Sequence, residues 1–211
     1  MTRVVCLSDT HGLHRRMPEI PDGDVLIHAG DSLGLRRDLS DFNDWLGELP
    51  HRHKIVIAGN HDSLLQESPE LAVPALSNAI YLQDSGVEIE GLRFWGSPWT
   101  PAFMDWWFML DRGEPLRERW RLIPDDTDVL IVHGPPAGIG DEVINGLQQE
   151  PEHVGCADLL ERIHQLSLKA GIFGHIHEGY GGYDINGVPM LNASTCTERY
   201  QPINPPFVLD L

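Results

Sequence analysis

Five short segments put metal-binding and proton-carrying side chains within a few residues of one another: Asp9-Thr10-His11, Gly30-Asp31, Gly59-Asn60-His61-Asp62, His133-Gly134-Pro135-Pro136 and Gly174-His175-Ile176-His177. Carboxylate oxygen, amide oxygen and imidazole nitrogen without thiolate form a donor set suited to manganese, iron or zinc in a paired centre. Asp9 and His11, at a spacing of two, can reach one ion where the backbone turns sharply. Gly30, Gly59, Gly134 and Gly174 permit such turns and a close approach of backbone to ion. Each motif alone is a weak signal, because a lone H-x-H is more often a surface turn than a site.

Their position in the chain joins them. Each follows an apolar, β-branched run that reads as a buried strand: 4–7, 25–29, 54–58, 128–132 and 170–173. Between some of these runs the period becomes helical, with Leu39, Phe42, Trp45, Leu46 and Leu49 on one stripe and Cys156, Leu159, Leu160, Ile163 and Leu166 on another. Further strands are expected at 87–95, around Gly182–Asn192, where Asn186-Gly187 signals a hairpin, and at 207–210. The segment 195–206, with Pro202, Pro205 and Pro206, reads as an extended loop. This alternation predicts an α/β fold, and such sheets place their sites outside the carboxyl ends of strands. All five segments can therefore meet in one crevice.

The 211 residues predict a single domain spanning 1–211, being about one and a half times the usual ~150-residue allotment. Lys plus Arg number 15 against 32 Asp plus Glu, a net charge of −17, with 41% hydrophobic residues available for a core. Disorder is excluded by that apolar content. The charge excludes long nucleic acid and anionic membrane as partners, since both are held by Lys and Arg. An anionic substrate would have to be met by positive charge that the formal count does not contain. No run approaches the ~20 apolar residues of a membrane span. The apolar run after Met1 is too short for a signal peptide. Cys6, Cys156 and Cys196 lack the spacing of a disulfide framework or zinc knuckle. A cytoplasmic location is expected.

In order and in placement after strands, the five motifs resemble those of the calcineurin-like metallophosphoesterase superfamily: D-x-H, G-D, G-N-H-[DE], a His-Gly and G-H-x-H. More narrowly, Gly59–Asp62, His133–Pro136, the run Gly174-His175-Ile176-His177-Glu178-Gly179-Tyr180-Gly181 and Gly96-Ser97-Pro98-Trp99-Thr100-Pro101 look like the MPPED group and class III phosphodiesterases. The similarity extends from Val4 to Glu198. It implies a four-layer α-β-β-α sandwich with mixed sheets and two divalent metal ions, manganese favoured over iron or zinc. Asp9, His11 and His177 would hold one ion, Asn60, His133 and His175 the other, and Asp31 would bridge them. Such a pair can share a hydroxide and clamp phosphoryl oxygens for in-line displacement. By the same resemblance His61 reaches the phosphate and protonates the leaving oxygen, a task suited to histidine near neutral pH. Asp62 would orient a ligand or His61.

The implied activity is hydrolysis of phosphate esters. Phosphoprotein phosphatases of the superfamily often extend the second motif to G-D-x-x-D-R-G, whereas here it reads Gly30-Asp31-Ser32-Leu33-Gly34-Leu35, followed by Arg36 and Arg37, which read as a solvated basic pair. Without that arginine, small phosphodiesters such as cyclic nucleotides are favoured over phosphomonoesters and phosphoproteins. A non-catalytic scaffold is disfavoured because no ligand is missing.

Six histidines outside the motifs are expected in surface or packing roles, with His28 hydrogen-bonded and half-buried. His14, beside the D-x-H loop, is a candidate substrate contact. The window 94–109 holds Trp95, Trp99, Trp106 and Trp107 with Phe103 and Phe108. Packing is one reading of it; a stacking surface in which Trp99 or Trp106 enters the substrate pocket and a buried dimer interface are the others. Gly138-Ile139-Gly140-Asp141 reads either as a loop shaping the pocket floor, with Asp141 exposed, or as a plain turn.

Overall fold

Along Arg3–Leu7, Val4 and Cys6 face one way and Val5 and Leu7 the other, and all four are completely buried. A strand buried on both faces must lie in the interior of a layered fold. The computed structural model describes residues 1–34, 38–144 and 150–211; Arg36 and Arg37 lie outside the described residues.

The chain begins with β1 (Arg3–Leu7), β2 (Val25–His28), α1 (Leu39–Glu48), β3 (His53–Val56), α2 (Ser63–Glu67), α3 (Pro69–Ala75) and β4 (Ile80–Tyr81). It continues through β5 (Ser85–Ile89), β6 (Leu92–Ser97), β7 (Thr100–Pro101), β8 (Met109–Leu110), α4 (Glu114–Trp120) and β9 (Val129–Val132). Then follow β10 (Glu142–Ile144), β11 (Pro151–His153), α5 (Ala157–Ile163), β12 (Ala170–Phe173), β13 (Gly181–Ile185), β14 (Val188–Asn192) and β15 (Phe207–Asp210).

Two mixed sheets form the centre. One has the order β15-β1-β2-β3-β4, parallel except for the edge strand β15. The other has the order β13-β14-β12-β9-β6-β5, parallel in the middle with antiparallel strands at both edges. Val4, Cys6, Ile27 and Ile55 of the first sheet meet Phe94, Ile131 and Ile172 of the second in the inner core. On the outer face of the first sheet, Val5, Leu26 and Val56 pack under Phe42, Trp45 and Leu46 of α1. On the outer face of the second, Leu130, Val132 and Phe173 pack under Trp120 of α4 and Leu159 of α5. The result is a four-layer α-β-β-α sandwich.

The segment 87–95 is a hairpin of two strands, turning at Glu90-Gly91, where both residues have positive φ (51° and 76°). Asn186-Gly187 makes the second hairpin, also with positive φ at both positions. Helix α5 ends at Ile163, short of the expected stripe to Leu166. No helix among the described residues is long and apolar enough to cross a membrane.

The functional consequence lies at the carboxyl ends of the parallel strands. There Ser8 N–H donates to the Ala193 carbonyl and Thr195 N–H to the Ser8 carbonyl, each at 2.8 Å, stitching the end of β1 to the end of β14. The two sheets thus share one edge, and both contribute side chains to it.

Candidate metal centre

The chain leaves β1, β2 and β12 through strained turns. Asp9, His11, Asp31 and His175 all have left-handed φ, at 54°, 45°, 54° and 69°. That conformation is unfavourable for residues other than glycine and persists where surrounding structure enforces it, often at functional sites. Here the enforcement is visible: Asp9 N–H donates to the Gly30 carbonyl at 2.9 Å, His11 N–H to the Asp31 carbonyl at 3.0 Å and Gly174 N–H to the His133 carbonyl at 2.9 Å.

The side chains collect into overlapping groups. Asp9, His11 and His177 form one, Asp31, His133 and His175 a second, and His11, Asp31 and His61 a third, the ligand atoms in each lying within 4.8 Å of one another. Nε2 of His11 and Nε2 of His177 are 3.1 Å apart. His177 is oriented by its Nδ1–H, which donates to the Thr197 carbonyl at 2.9 Å, and His133 by its Nδ1–H to the Ala29 carbonyl at 2.9 Å. In both, Nε2 is thereby the nitrogen offered to the centre. His133 Nε2 stands 3.0 Å from Asn60 Oδ1 and 3.4 Å from Asp31 Oδ1. Asp31 Oδ2 faces the opposite way, 3.7 Å from His11 Nε2.

Buried polar atoms without protein partners occur here, where a folded chain ordinarily satisfies them. Asp9 Oδ1 is one, with His177 Nε2 at 3.4 Å and His11 Nε2 at 3.9 Å; Asn60 Nδ2 is another. An oxygen and nitrogen donor set, an orphaned carboxylate oxygen and imidazoles fixed by their far nitrogens fit divalent cations. The electrostatics agree. Burial raises the Asp9 and Asp31 carboxyls, but the surrounding histidines outweigh it and hold both below the ordinary range. Burial would strip His133 of its proton, yet Asp31 outweighs it and pushes the pKa up to about 9, and Asp9 likewise raises His177. Burial pushes His11 down to about 4 and, with His133 beside it, His175 down to about 3. Two buried carboxylates thus attract positive charge, which protons supply until a metal ion does.

A cavity of about 630 Å³ opens over the centre. His11, Asp31, Asn60, His61, His175 and His177 form its floor. His61 is part-exposed and aimed inward, with Nε2 3.9 Å from Asp31 Oδ2. Asp62 does not face the cavity. It is fully buried, and its carboxylate accepts from Gly59 N–H at 2.8 Å, Ser32 Oγ–H at 2.8 Å, Leu33 N–H at 2.9 Å and Ser32 N–H at 3.2 Å. Burial and the nearby Asp31 push its pKa up to about 6. It is a positioning residue that ties the loop carrying Asp31 to the loop carrying Asn60 and His61.

The expected substrate contacts at Trp99 and His14 lie elsewhere. Trp99 packs between the sheet and helix layers, its Nε1–H donating to Asp84 Oδ2 at 2.8 Å, with the Arg119 guanidinium 4.7 Å above its ring. His14 is buried against Phe42 and Trp45 of α1, its Nε2 3.0 Å from Asp41 Oδ2. Trp106 is the tryptophan of that window that does line the cavity, with its ring centroid 4.5 Å from that of His61. His28 is fully buried, paired with Thr10 Oγ1 at 2.9 Å. Asp141 is buried too, accepting from Gly138 N–H, Gly155 N–H and His153. An exposed Asp141 was the expectation, but these bonds join the 138–141 loop to the end of β11. Tyr200, in the segment read as an extended loop, lines the cavity and packs edge-on against His11 with centroids 4.9 Å apart. No motif in the sequence marks it.

A metal-binding crevice at the shared edge of a four-layer sandwich defines a class of hydrolase, and residues 2–179 match the calcineurin-like phosphoesterase family. The chain belongs to that family, whose members are metal-dependent phosphoester hydrolases. Metallophosphoesterase domain-containing protein 1 of Homo sapiens is 46% identical over 237 aligned residues, covering all of this chain and 71% of that protein. A UPF0046 protein of Caenorhabditis elegans is 37% identical, covering 99% of this chain and 60% of its own length. The crystal structure of a Thermus thermophilus protein, TT1561, superimposes with a TM-score of 0.57 at 14% identity, covering 91% of this chain and 88% of that one, a likeness of fold.

Proposed function

We propose that this chain is a phosphodiesterase acting on small diesters, cyclic nucleotides among them, through two divalent ions, with manganese the favoured metal. The observation that carries the two-ion reading is the placement of Asp31. Its Oδ2 faces His11 and its Oδ1 faces His133, so one carboxylate spans two sets of donors. Asp9, His11 and His177 would hold one ion; Asn60, His133 and His175 would hold the other. Bound ions would supply Lewis acidity toward the phosphoryl oxygens and an activated water nucleophile at neutral pH.

The protein's own groups do the rest. Water adds to phosphorus and gives up a proton to solvent, the ester P–O bond breaks, and the leaving alkoxide takes its proton from His61. His61 is held for this by its backbone N–H, which donates to Asp31 Oδ1 at 2.8 Å, and by the Asp62 network that fixes both loops. Preference for diesters is supported by the charges on the cavity wall. Among the described lining residues Arg112 is the one Arg or Lys, and the carbonyls of Val154 and Gly155 already accept from its guanidinium at 2.5 and 2.6 Å. Glu152, Glu178 and Glu198 line the same cavity. Carboxylates there oppose a dianionic monoester more than a monoanionic diester. The net charge of −17 supports a small substrate over long nucleic acid or a membrane surface. Three free, buried cysteines support a reducing, cytoplasmic setting.

The test is a direct comparison of bis(p-nitrophenyl) phosphate with p-nitrophenyl phosphate on the manganese-loaded protein. A kcat/KM larger for the diester is expected; a larger value for the monoester refutes the diester reading.

A further inference from the structure

Four cavity-lining rings make a chain of successive contacts. The centroid of Trp106 is 4.5 Å from that of His61, His61 is 4.8 Å from His11, and His11 is 4.9 Å from Tyr200. The two histidines are the middle members, and His11 is itself one of the candidate metal-binding side chains. Trp106 and Tyr200 occupy the ends, and both retain open faces, being 38% and 49% exposed. Large aromatic surface left uncovered inside a concave site marks a place where a ligand packs.

Both end rings are held in place by the backbone. Trp106 sits on the loop between β7 and β8, whose base is closed by Thr100 N–H to the Phe108 carbonyl at 3.0 Å and Ala102 N–H to the Leu110 carbonyl at 2.8 Å. Phe108 N–H donates to Gln66 Oε1 at 2.5 Å, tying this loop to α2, just beyond His61. Tyr200 has a left-handed φ of 54°, a cost that its surroundings must enforce. The enforcing group is the Thr197 carbonyl, which accepts from Tyr200 N–H at 2.8 Å and from His177 Nδ1–H at 2.9 Å. One backbone oxygen thus orients both a candidate metal ligand and the tyrosine at the end of these contacts.

We infer that Trp106 and Tyr200 are specificity-determining residues that receive rings on the two ester arms of the substrate, Trp106 on the side of the leaving alcohol and Tyr200 on the opposite side. The inference rests on the diesterase reading and narrows it. A phosphorus seated over His61 and His11 has one arm directed to each end of these contacts, so an open-chain diester with a flat ring on both alcohols engages both platforms. A cyclic diester carries both ester oxygens on one alcohol and engages one. A phosphomonoester has a single arm. Open-chain diesters with two ring-bearing alcohols are therefore preferred over cyclic ones, and Tyr200 carries the difference.

The test uses the manganese-loaded full chain. Calorimetric binding of diphenyl phosphate and dimethyl phosphate, unactivated esters whose turnover is slow on the scale of a titration, reads the platforms apart from the chemical step, and kcat/KM for bis(p-nitrophenyl) phosphate against methyl p-nitrophenyl phosphate reads them with turnover. Wild-type protein binds the diphenyl ester more tightly, and Trp106→Ala and Tyr200→Ala each reduce that preference about tenfold, the effect of removing a ring from a stacked pair. Tyr200→Ala lowers the bis-aryl over methyl-aryl preference in kcat/KM, the change falling in KM, and Tyr200→Phe restores it because the ring rather than the hydroxyl is used. Equal binding of the two esters by wild-type protein overturns the inference. So do losses in Tyr200→Ala that are the same for both substrates, the pattern of a displaced His11. Tight, ring-dependent binding without hydrolysis of either diester refutes the diesterase reading and leaves the ring receptors established.

Discussion

The backbone N–H of His61 donates to Oδ1 of Asp31 at 2.8 Å, while the imidazole of the same residue folds over that carboxylate with Nε2 3.9 Å from Oδ2. In the proposed reading these two are the proton donor and the central ligand, which would place a proton on an alcohol leaving a phosphorus held between them. His61→Ala is expected to lower kcat about 10²- to 10⁴-fold, the usual contribution of a general acid, with manganese content kept. The loss should be smaller for a p-nitrophenyl ester than for an alkyl ester, because nitrophenolate departs without a proton. Steady-state kinetics on the two esters check this, and an equal loss on both contradicts the assignment.

Asp62 accepts four hydrogen bonds from two loops while completely buried. Asp62→Ala leaves buried donors on Gly59, Ser32 and Leu33 unsatisfied, at a cost of about 3 kcal/mol. For a chain of this size the melting temperature should fall by roughly 6 to 12 °C. Asp62→Asn keeps one acceptor oxygen and should fall between the two. Thermal unfolding of the three proteins decides; an Asp62→Ala variant as stable as wild type removes the positioning role.

Gly59 admits no side chain. A Cβ there would stand inside contact distance of the Asp31 backbone N and carboxylate and of His133 Cε1. Gly59→Ala must therefore displace the central carboxylate or the His133 ring. Manganese affinity is expected to fall at least tenfold, the effect of disturbing the surroundings of a ligand. Calorimetric titration with manganese measures it, and wild-type affinity shows that the loop can move without cost to the site.

Before an ion binds, Asp31 outweighs burial and keeps the pKa of His133 at about 9, while Asp9 raises that of His177. A raised imidazole pKa means the proton is on at pH 7 and comes off as pH rises through the shifted value. A ligand nitrogen must be free of it, so manganese binding should release protons at pH 7 and tighten from pH 6 toward pH 9. Each proton released steepens the apparent affinity by about tenfold per pH unit. Calorimetry in two buffers of different ionisation enthalpy reports the release; identical apparent enthalpies exclude it.

What the sequence showed of this arrangement is the part written locally. The expected runs 4–7, 25–29, 128–132 and 170–173 overlap β1, β2, β9 and β12, because strands buried on both faces are mostly apolar, and the motif residues follow them because the chain turns at their ends. Trp99 and Trp106, by contrast, are the same residue type seven positions apart in one aromatic window. Only the closing of the β7–β8 loop onto α2 turns the second toward His61 and leaves the first stacked under Arg119. His14 lies three residues from His11 yet is drawn under α1 by Asp41, and Tyr200 reaches the site through the Thr197 carbonyl. Asp141 is similarly long-range, buried by bonds to residues 12 and 14 positions onward. Helices α2, α3 and α4 went unseen: α2 spans only five residues, and α3 carries an interior Pro74.

The central claim is that phosphodiester hydrolysis here depends on metal ions held by Asp9, His11, Asp31, Asn60, His133, His175 and His177. Its most direct test is hydrolysis of bis(p-nitrophenyl) phosphate by protein stripped with a chelator, dialysed and titrated with manganese. Activity should be absent after stripping and return as manganese is added, reaching its plateau near two ions per chain. Hydrolysis that persists through chelation and ignores added manganese would contradict it.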